Sequence, residues 1–392
     1  MSKLKVFHFS NKPPFPLRDG GCVAISSMLK SLLSSKDIDL FHFTLATHKH
    51  PFIDDAYPES WMKRMEMDHL KIQTRTDLFG AIYHIVRNTS YNVARFRDKK
   101  AIKKITKILD KKEFDVVFME SIYLLPYLHL FKKRGIKVIV RTHNVEHEIW
   151  ESMSENATFK IKKWYYNKLA EQLKKYEIET LSKVNGIISI TEEDAFFFQQ
   201  FEPAVLTTVI PTAVRTNFPT PDYSSSDFYF LGAMDWRPNI EGIDWVLNKV
   251  MPDGLKGTTF SIGGKNLNKN KFNHPSVNCV GEVKDAFLFI IEHGICIIPM
   301  KSGSGLKIKL LENMAMGKPI VRTSEGVRGV PVTHRKEVLI CDDPQEFKEY
   351  MYELHLDQSL RKKLGGNAKK FIQQHYSESN ITRKLIAFLN DI

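Results

Sequence analysis

Two lysines, a carboxylate and a glycine turn fall in one short stretch of this chain: Gly303-Ser304-Gly305, Lys307, Lys309 and Glu312. That set of residue types suits a phosphate ester. A glycine turn lets backbone amides converge on an anion, and a helix start adds partial positive charge worth about 0.3–1 kcal/mol per anion. The apolar run 294–299 ahead of it reads as a buried parallel strand, 306–316 as a helix stopped by Gly317 and Pro319, and 319–323 as a second strand. The resulting βαβ unit points its phosphate-ready end at the strand C-termini. Lys307 and Lys309, two apart, cannot share a helix face. Lys307 is nearer the helix start and is expected to meet the phosphate, leaving Lys309 solvated. Glu312, further along, is placed to accept from a hydroxyl pair such as a ribose offers.

Other chemistry-bearing residues cluster at predicted strand ends. Asp19-Gly20-Gly21 follows a strand and a loop with Pro13, Pro14 and Pro16, and opens a helix over 21–33, where Gly21 permits close approach of a ligand. Arg141-Thr142-His143 ends another strand, so His143 is a candidate for a sugar hydrogen bond or acid–base work. Glu146 and His147 read as surface groups. His143 and His147 lack a third ligand at fitting spacing, and no metal is expected. In the segment 230–239, Gly232 ends a strand, and Arg237 or Asn239 can reach a phosphate or sugar; a loop packed by Trp236 is the competing reading. Gly281 and Val283 lie in a strand-end loop suited to the edge of a base.

These residues need a scaffold of strands and helices. Strand candidates are 4–9, 38–43, 114–119, 137–141 and 186–190, then 228–232, 258–262, 277–280, 294–299, 319–323 and 337–340. Alternation with helical patterns predicts parallel sheets covered on both faces, an α/β architecture of two Rossmann-like domains facing each other across a cleft. The Pro-, Thr- and Ser-containing stretch 211–227 reads as the linker. Domains are expected at 1–210 and 211–374, and the amphipathic helix 379–391 is able to cap either one. Neither half has Gly-x-Gly-x-x-Gly after its first strand, which argues against a dehydrogenase.

Of the 392 residues, 43% are hydrophobic and 26% charged, as in a globular protein. The N-terminal segment lacks the apolar length and cleavage site of a signal peptide, no run approaches a membrane span, and four cysteines are scattered, so a cytoplasmic protein with free thiols is expected. The net charge of +12 is concentrated at 95–112, with nine basic residues against Asp98 and Asp110, and at 160–175, with Trp164, Tyr165 and Tyr166 interleaved. Solvated helix faces are the plain reading; an anionic membrane surface or lipid-linked substrate is the functional one. Nucleic acid is not expected, since no binding module accompanies the charge.

Gly303 to Val321, together with the segment 234–239, resembles GT-B glycosyltransferases of the retaining family-4 type, the latter like enzymes of bacterial polysaccharide synthesis, and the resemblance runs over nearly the whole chain. It implies a glycosyltransferase that moves a sugar from a nucleotide diphosphate to a glycan or lipid-linked acceptor, in the cytoplasm or at the inner membrane face, with no cofactor or metal. It also implies that the last helix, 375–392, returns to the N-terminal domain. By position, Glu312 binds the ribose; Ser304 and Gly305 amides, with Lys307 or Arg237, hold the diphosphate; Ser302 and Gly303 lie near the donor sugar. His143 contacts that sugar from the other domain, Gly21 faces the diphosphate, and Gly281 to Val283 flank the base. Ser304 stands where many members have a first glutamate, and Ala233 and Pro238 stand where an arginine and a lysine are usual. Rival readings are a non-catalytic scaffold of the same fold and a nucleotide-sugar epimerase or hydrolase.

Overall fold

The computed structural model describes residues 3–272, 274–302, 306–327 and 329–392. Contacts divide the chain into two units, Met1–Ala213 with Ile381–Ile392, and Val214–Asn380.

The first unit is built on seven parallel strands, β1 (Leu4–Ser10), β2 (Ile38–Ala46), β3 (Met65–Lys71), β4 (Val116–Glu120), β5 (Lys137–Thr142), β6 (Gly186–Ser189) and β7 (Leu206–Val209). They are ordered 3-2-1-4-5-6-7, with β1 central. Phe7, Phe9, Val117 and Met119 bury one face and Val6, Phe118 and Ile139 the other, as expected of a sheet covered on both sides. Helix α1 (Gly20–Ser34) follows β1; Asp19 caps it by accepting from the Cys22 amide at 2.9 Å, and Ile25, Met28, Leu29 and Leu32 bury its inner stripe. Further along lie α2 (Leu78–Val86), α3 (Lys99–Leu109), α4 (Glu146–Glu155) and α5 (Lys160–Leu181). Ala101, Ile105 and Leu109 bury α3 at four-residue spacing, with lysines outward.

Two of these strands carry no sequence signal. β3 reads Met-Glu-Met-Asp-His-Leu-Lys and is half exposed because it is an edge; β7, at the other edge, is four residues long and Thr-rich.

The second unit has six parallel strands, β8 (Phe228–Leu231), β9 (Phe260–Gly263), β10 (Val277–Gly281), β11 (Ile295–Ile298), β12 (Ile320–Arg322) and β13 (Leu339–Ile340), ordered 10-9-8-11-12-13. Helix α6 (Arg237–Trp245) follows β8, and α7 (Ile308–Ala315) lies between β11 and β12. The C-terminal helix α8 (Glu378–Asp391) buries Ile381, Leu385, Phe388 and Leu389 with Val6, Ile25 and Leu29 of the first unit. In both sheets the strand order reverses beside the first strand, β1/β4 and β8/β11, and ligands of open parallel sheets bind at such a reversal, outside the strand C-termini.

Candidate functional site

Each unit gathers polar residues at its reversal point. In the second, β11 runs out at Ile298 and the chain enters α7 through Lys307, the helix N-cap residue, which is nearly buried. Because Lys307 has non-helical backbone angles (φ −84°, ψ 89°), the helix-face argument separating it from Lys309 does not apply. Nor is Lys309 solvated, contrary to the sequence expectation. Its ammonium donates to Asn239 Oδ1 at 2.6 Å and lies 4.6 Å from the centroid of the Phe230 ring. Desolvation there pushes its pKa down to about 8. Both lysines therefore belong to the floor at the start of α7. Glu312 projects exposed from the next turn, and the surrounding protein mass raises its carboxyl above the ordinary value by desolvation. Gly303, Ser304 and Gly305 lie outside the described residues.

Around this floor, Ser302 donates to Glu241 Oε2 at 3.2 Å, while Arg237, exposed, donates to Glu241 Oε1 at 2.6 Å. Glu241 so holds both candidate donor-side groups. Trp236 is exposed, so the loop after β8 is not packed by it; Met234 and Asn239 are the buried members, Asn239 donating to the Ala233 carbonyl at 2.7 Å. The ends of β8, β9 and β10 meet closely. Gly264 (φ +152°) leaves no room for a Cβ, which would fall 1.8 Å from the Gly232 carbonyl oxygen, and its amide donates to the Gly281 carbonyl at 2.9 Å. Gly281 itself has φ +90°, and Val283 packs over Gly263.

In the first unit, Glu120 ends β4 fully buried. Its Oε1 accepts from His8 Nε2 at 3.2 Å; its Oε2 accepts from Arg141 at 3.3 Å and from His143 Nε2 at 2.8 Å. Burial alone would raise the Glu120 carboxyl, but Arg141, His143 and His8 overcome it and hold the group well below the carboxylate range. The ionised carboxylate only accepts, so both histidines present N–H to it. Desolvation lowers the pKa of His143 despite that bond; neutral and tethered through Nε2–H, it keeps Nδ1 as a free-electron-pair acceptor for a hydroxyl. His8 Nδ1 lies 3.0 Å from Nδ1 of buried His42, whose pKa is pushed down by desolvation and then by His8. Arg141 also donates to the Ala24 carbonyl at 2.9 Å, tying α1 to the network.

Asp19 accepts from Lys12 and from His50 at 2.8 Å each. Against burial, which would raise it, these partners keep Asp19 well below its ordinary value, and the Asp19 bond lifts His50 to about 9. A Cβ at Gly21 would come 2.5 Å from Lys12 Nζ, so this glycine lets the ammonium lie over the first turn of α1. Asp19, Cys22 and His50 are of metal-ligating types and stand together, but the Lys12 ammonium already occupies the cation position beside Asp19.

Glu146 and His147 are not the surface groups expected. His147 is buried with Nδ1 2.6 Å from Glu177 Oε2, and the Glu146 and His147 amides donate to the Glu177 carboxylate at 3.0 and 3.2 Å, capping α4 from α5. Tyr123 donates to Glu146 at 2.8 Å, and burial pushes the Glu146 carboxyl up to about 7. Helix periodicity concealed this, because the partner lies thirty residues away in sequence. The available signal for Glu120, His8 and His42 was a polar residue inside an otherwise apolar strand run.

Residues 225–357, inside the second unit, match the family model described as glycosyl transferases group 1. Along the full length the chain is similar to an uncharacterised 44.6 kDa protein in the cps region of Klebsiella pneumoniae, 24% identical, covering 96% of this chain and 97% of that one. The fold is similar to that of HepE from Anabaena in complex with UDP (TM-score 0.67, 11% identity, 99% and 100% of the two chains) and of TarM (TM-score 0.71, 13%, 100% and 99%). It is also similar to the lipopolysaccharide outer core galactosyltransferase WaaB (TM-score 0.61, 12%, 99% and 100%). Among the described residues no helix is long and apolar enough to cross a membrane. The chain thus has the two-sheet GT-B fold, and its residues 225–357 match the glycosyl transferases group 1 model.

Proposed function

We propose that this protein transfers a sugar, with retention, from a nucleotide diphosphate to a glycan or lipid-linked glycan in cell-surface polysaccharide synthesis. The observation that carries the reading is the start of α7, beside the reversal point of the sheet, where Lys307 is the N-cap residue, Lys309 bonds Asn239 and Glu312 is exposed a turn further on. A developing diphosphate would be neutralised by the two ammonium groups and the helix N-terminus, with no metal. Glu312, exposed, would accept from the ribose hydroxyls; Ser302, Arg237, Gly281 and Val283 would border the donor. His143, held by Glu120, would accept from a sugar hydroxyl through Nδ1. Similar structures support the donor class: HepE is known with UDP and with UDP-glucose, and a mutant of S. aureus TarM with fondaparinux, α-GlcNAc-glycerol and UDP. The cps-region relative supports the polysaccharide setting. The acceptor would be met at the cytoplasmic membrane face.

The test is thermal stabilisation by UDP, GDP and a panel of nucleotide sugars, alongside Glu312→Ala. A nucleotide at one hundred times its Kd should add about 2.7 kcal/mol, and the variant should lose that gain while staying folded. A folded protein that no nucleotide stabilises would instead be a scaffold of this fold.

A further inference from the structure

Helix α2 wears its apolar stripe on the outside. Leu78, Phe79, Ile82, Tyr83 and Val86 are all exposed, Phe79 at 82% and Val86 at 80%, and only Ala81 is buried. At 3.6 residues per turn the five occupy an arc of about 140° on one face. An ordinary surface helix turns such a stripe inward. Phe159, Ile161 (83% exposed) and Trp164 at the start of α5 are exposed as well. Ala81 shares a small core with Tyr91 and Leu169, and Gln172 of α5 donates to the His84 and Ile85 carbonyls at 3.2 and 3.4 Å. The two helices therefore meet where Ala81 to Ile85 face Leu169 to Gln172.

The rim of this surface carries more cations than acids, Glu155 being an exposed acid near Lys163. Arg75, Arg87, Lys160, Lys162 and Lys163 are exposed around it, while the nearest acid on α2, Asp77, is its N-cap, accepting from the Gly80 amide at 2.7 Å. Soluble monomers seldom expose apolar residues in so continuous a patch. A second copy of the same face would set cation against cation. A short helix lying flat with Tyr83 among its exposed apolar residues, together with Trp164 and the lysines at the start of α5, fits the headgroup layer of an anionic bilayer. The basic helix α3 fits less well: Lys104 is paired with Asp68 and the neighbouring Lys112 with Glu66, and α3 exposes no large apolar side chain among those described.

We propose that α2 and the first turns of α5 insert into the surface of an anionic lipid bilayer. The purpose of this contact rests on the lipid-linked acceptor reading; the observations behind it do not. The full-length protein would be floated with phosphatidylcholine vesicles with and without phosphatidylglycerol, next to Phe79→Ser/Val86→Ser and Lys160→Glu/Lys162→Glu/Lys163→Glu. The wild type should float only with the anionic vesicles, and each variant should lose most of that binding. UDP-induced stabilisation should be unchanged in the variants, which shows that they are folded and keeps the two readings apart. Vesicle binding without nucleotide stabilisation would overturn the donor reading alone. No flotation of the wild type, binding that survives the apolar substitutions, or a concentration-dependent dimer that those substitutions dissolve would overturn the bilayer surface.

Discussion

The polar centre of the first unit is closed upon itself, whereas that of the second is open. Glu120 is surrounded by His8, Arg141 and His143, all at hydrogen-bond distance and two of them without solvent access. In the second unit Glu312 and Arg237 are exposed, while Lys307 and Lys309 are seated at the start of α7. The difference separates two tasks. Ions removed from water must be partnered by the protein itself, so a closed network orients a side chain such as His143 and makes the fold depend on it. Groups that face solvent add little to the fold and stay available to a ligand.

Breaking the closed network should have the largest effect. Glu120→Ala leaves Arg141 buried without its counter-charge, and denaturant unfolding should show a loss of about 3–5 kcal/mol. Next is Lys309→Met, which removes a cation that is costly to bury. Stability should change by no more than about 1 kcal/mol, while UDP affinity measured by calorimetry should fall at least about tenfold, equivalent to 1.4 kcal/mol. Unchanged affinity would take Lys309 out of the donor site.

The two units should also respond oppositely to pH. His50 has its pKa raised to about 9 by Asp19, so its contribution is complete below the unfolded value of 6.5 and is lost as pH rises through 9. Lys309 has its pKa lowered to about 8, so the unfolded chain binds more protons above that value and the fold gains stability from about 8 towards 10.5. Unfolding curves of His50→Gln and Lys309→Met against pH should each lose one of these slopes. The smallest effect belongs to Arg237→Ala: its exposed pair with Glu241 should contribute only about 0–1 kcal/mol to stability, so any large fall in nucleotide affinity would mark direct contact with the donor.

Much of the scaffold was legible beforehand. Eleven predicted strand segments correspond to strands, because a buried parallel strand is a short apolar run wherever it occurs. The edges β3 and β7 were not, since half-exposed strands admit polar residues. The start of α7 was readable because the residues of that candidate site are contiguous in sequence.

Local pattern thus determined the two parallel sheets, the order of their helices and the start of α7. Tertiary structure alone decided which charges are buried. Glu120 meets His8 from 112 residues away, Lys309 is seated by Asn239 and Phe230, and His147 is claimed by Glu177. The same holds for α2, whose apolar residues the packing leaves outside. Periodicity reports which side chains share a face; whether that face meets protein, water or another surface is set by partners distant in the chain.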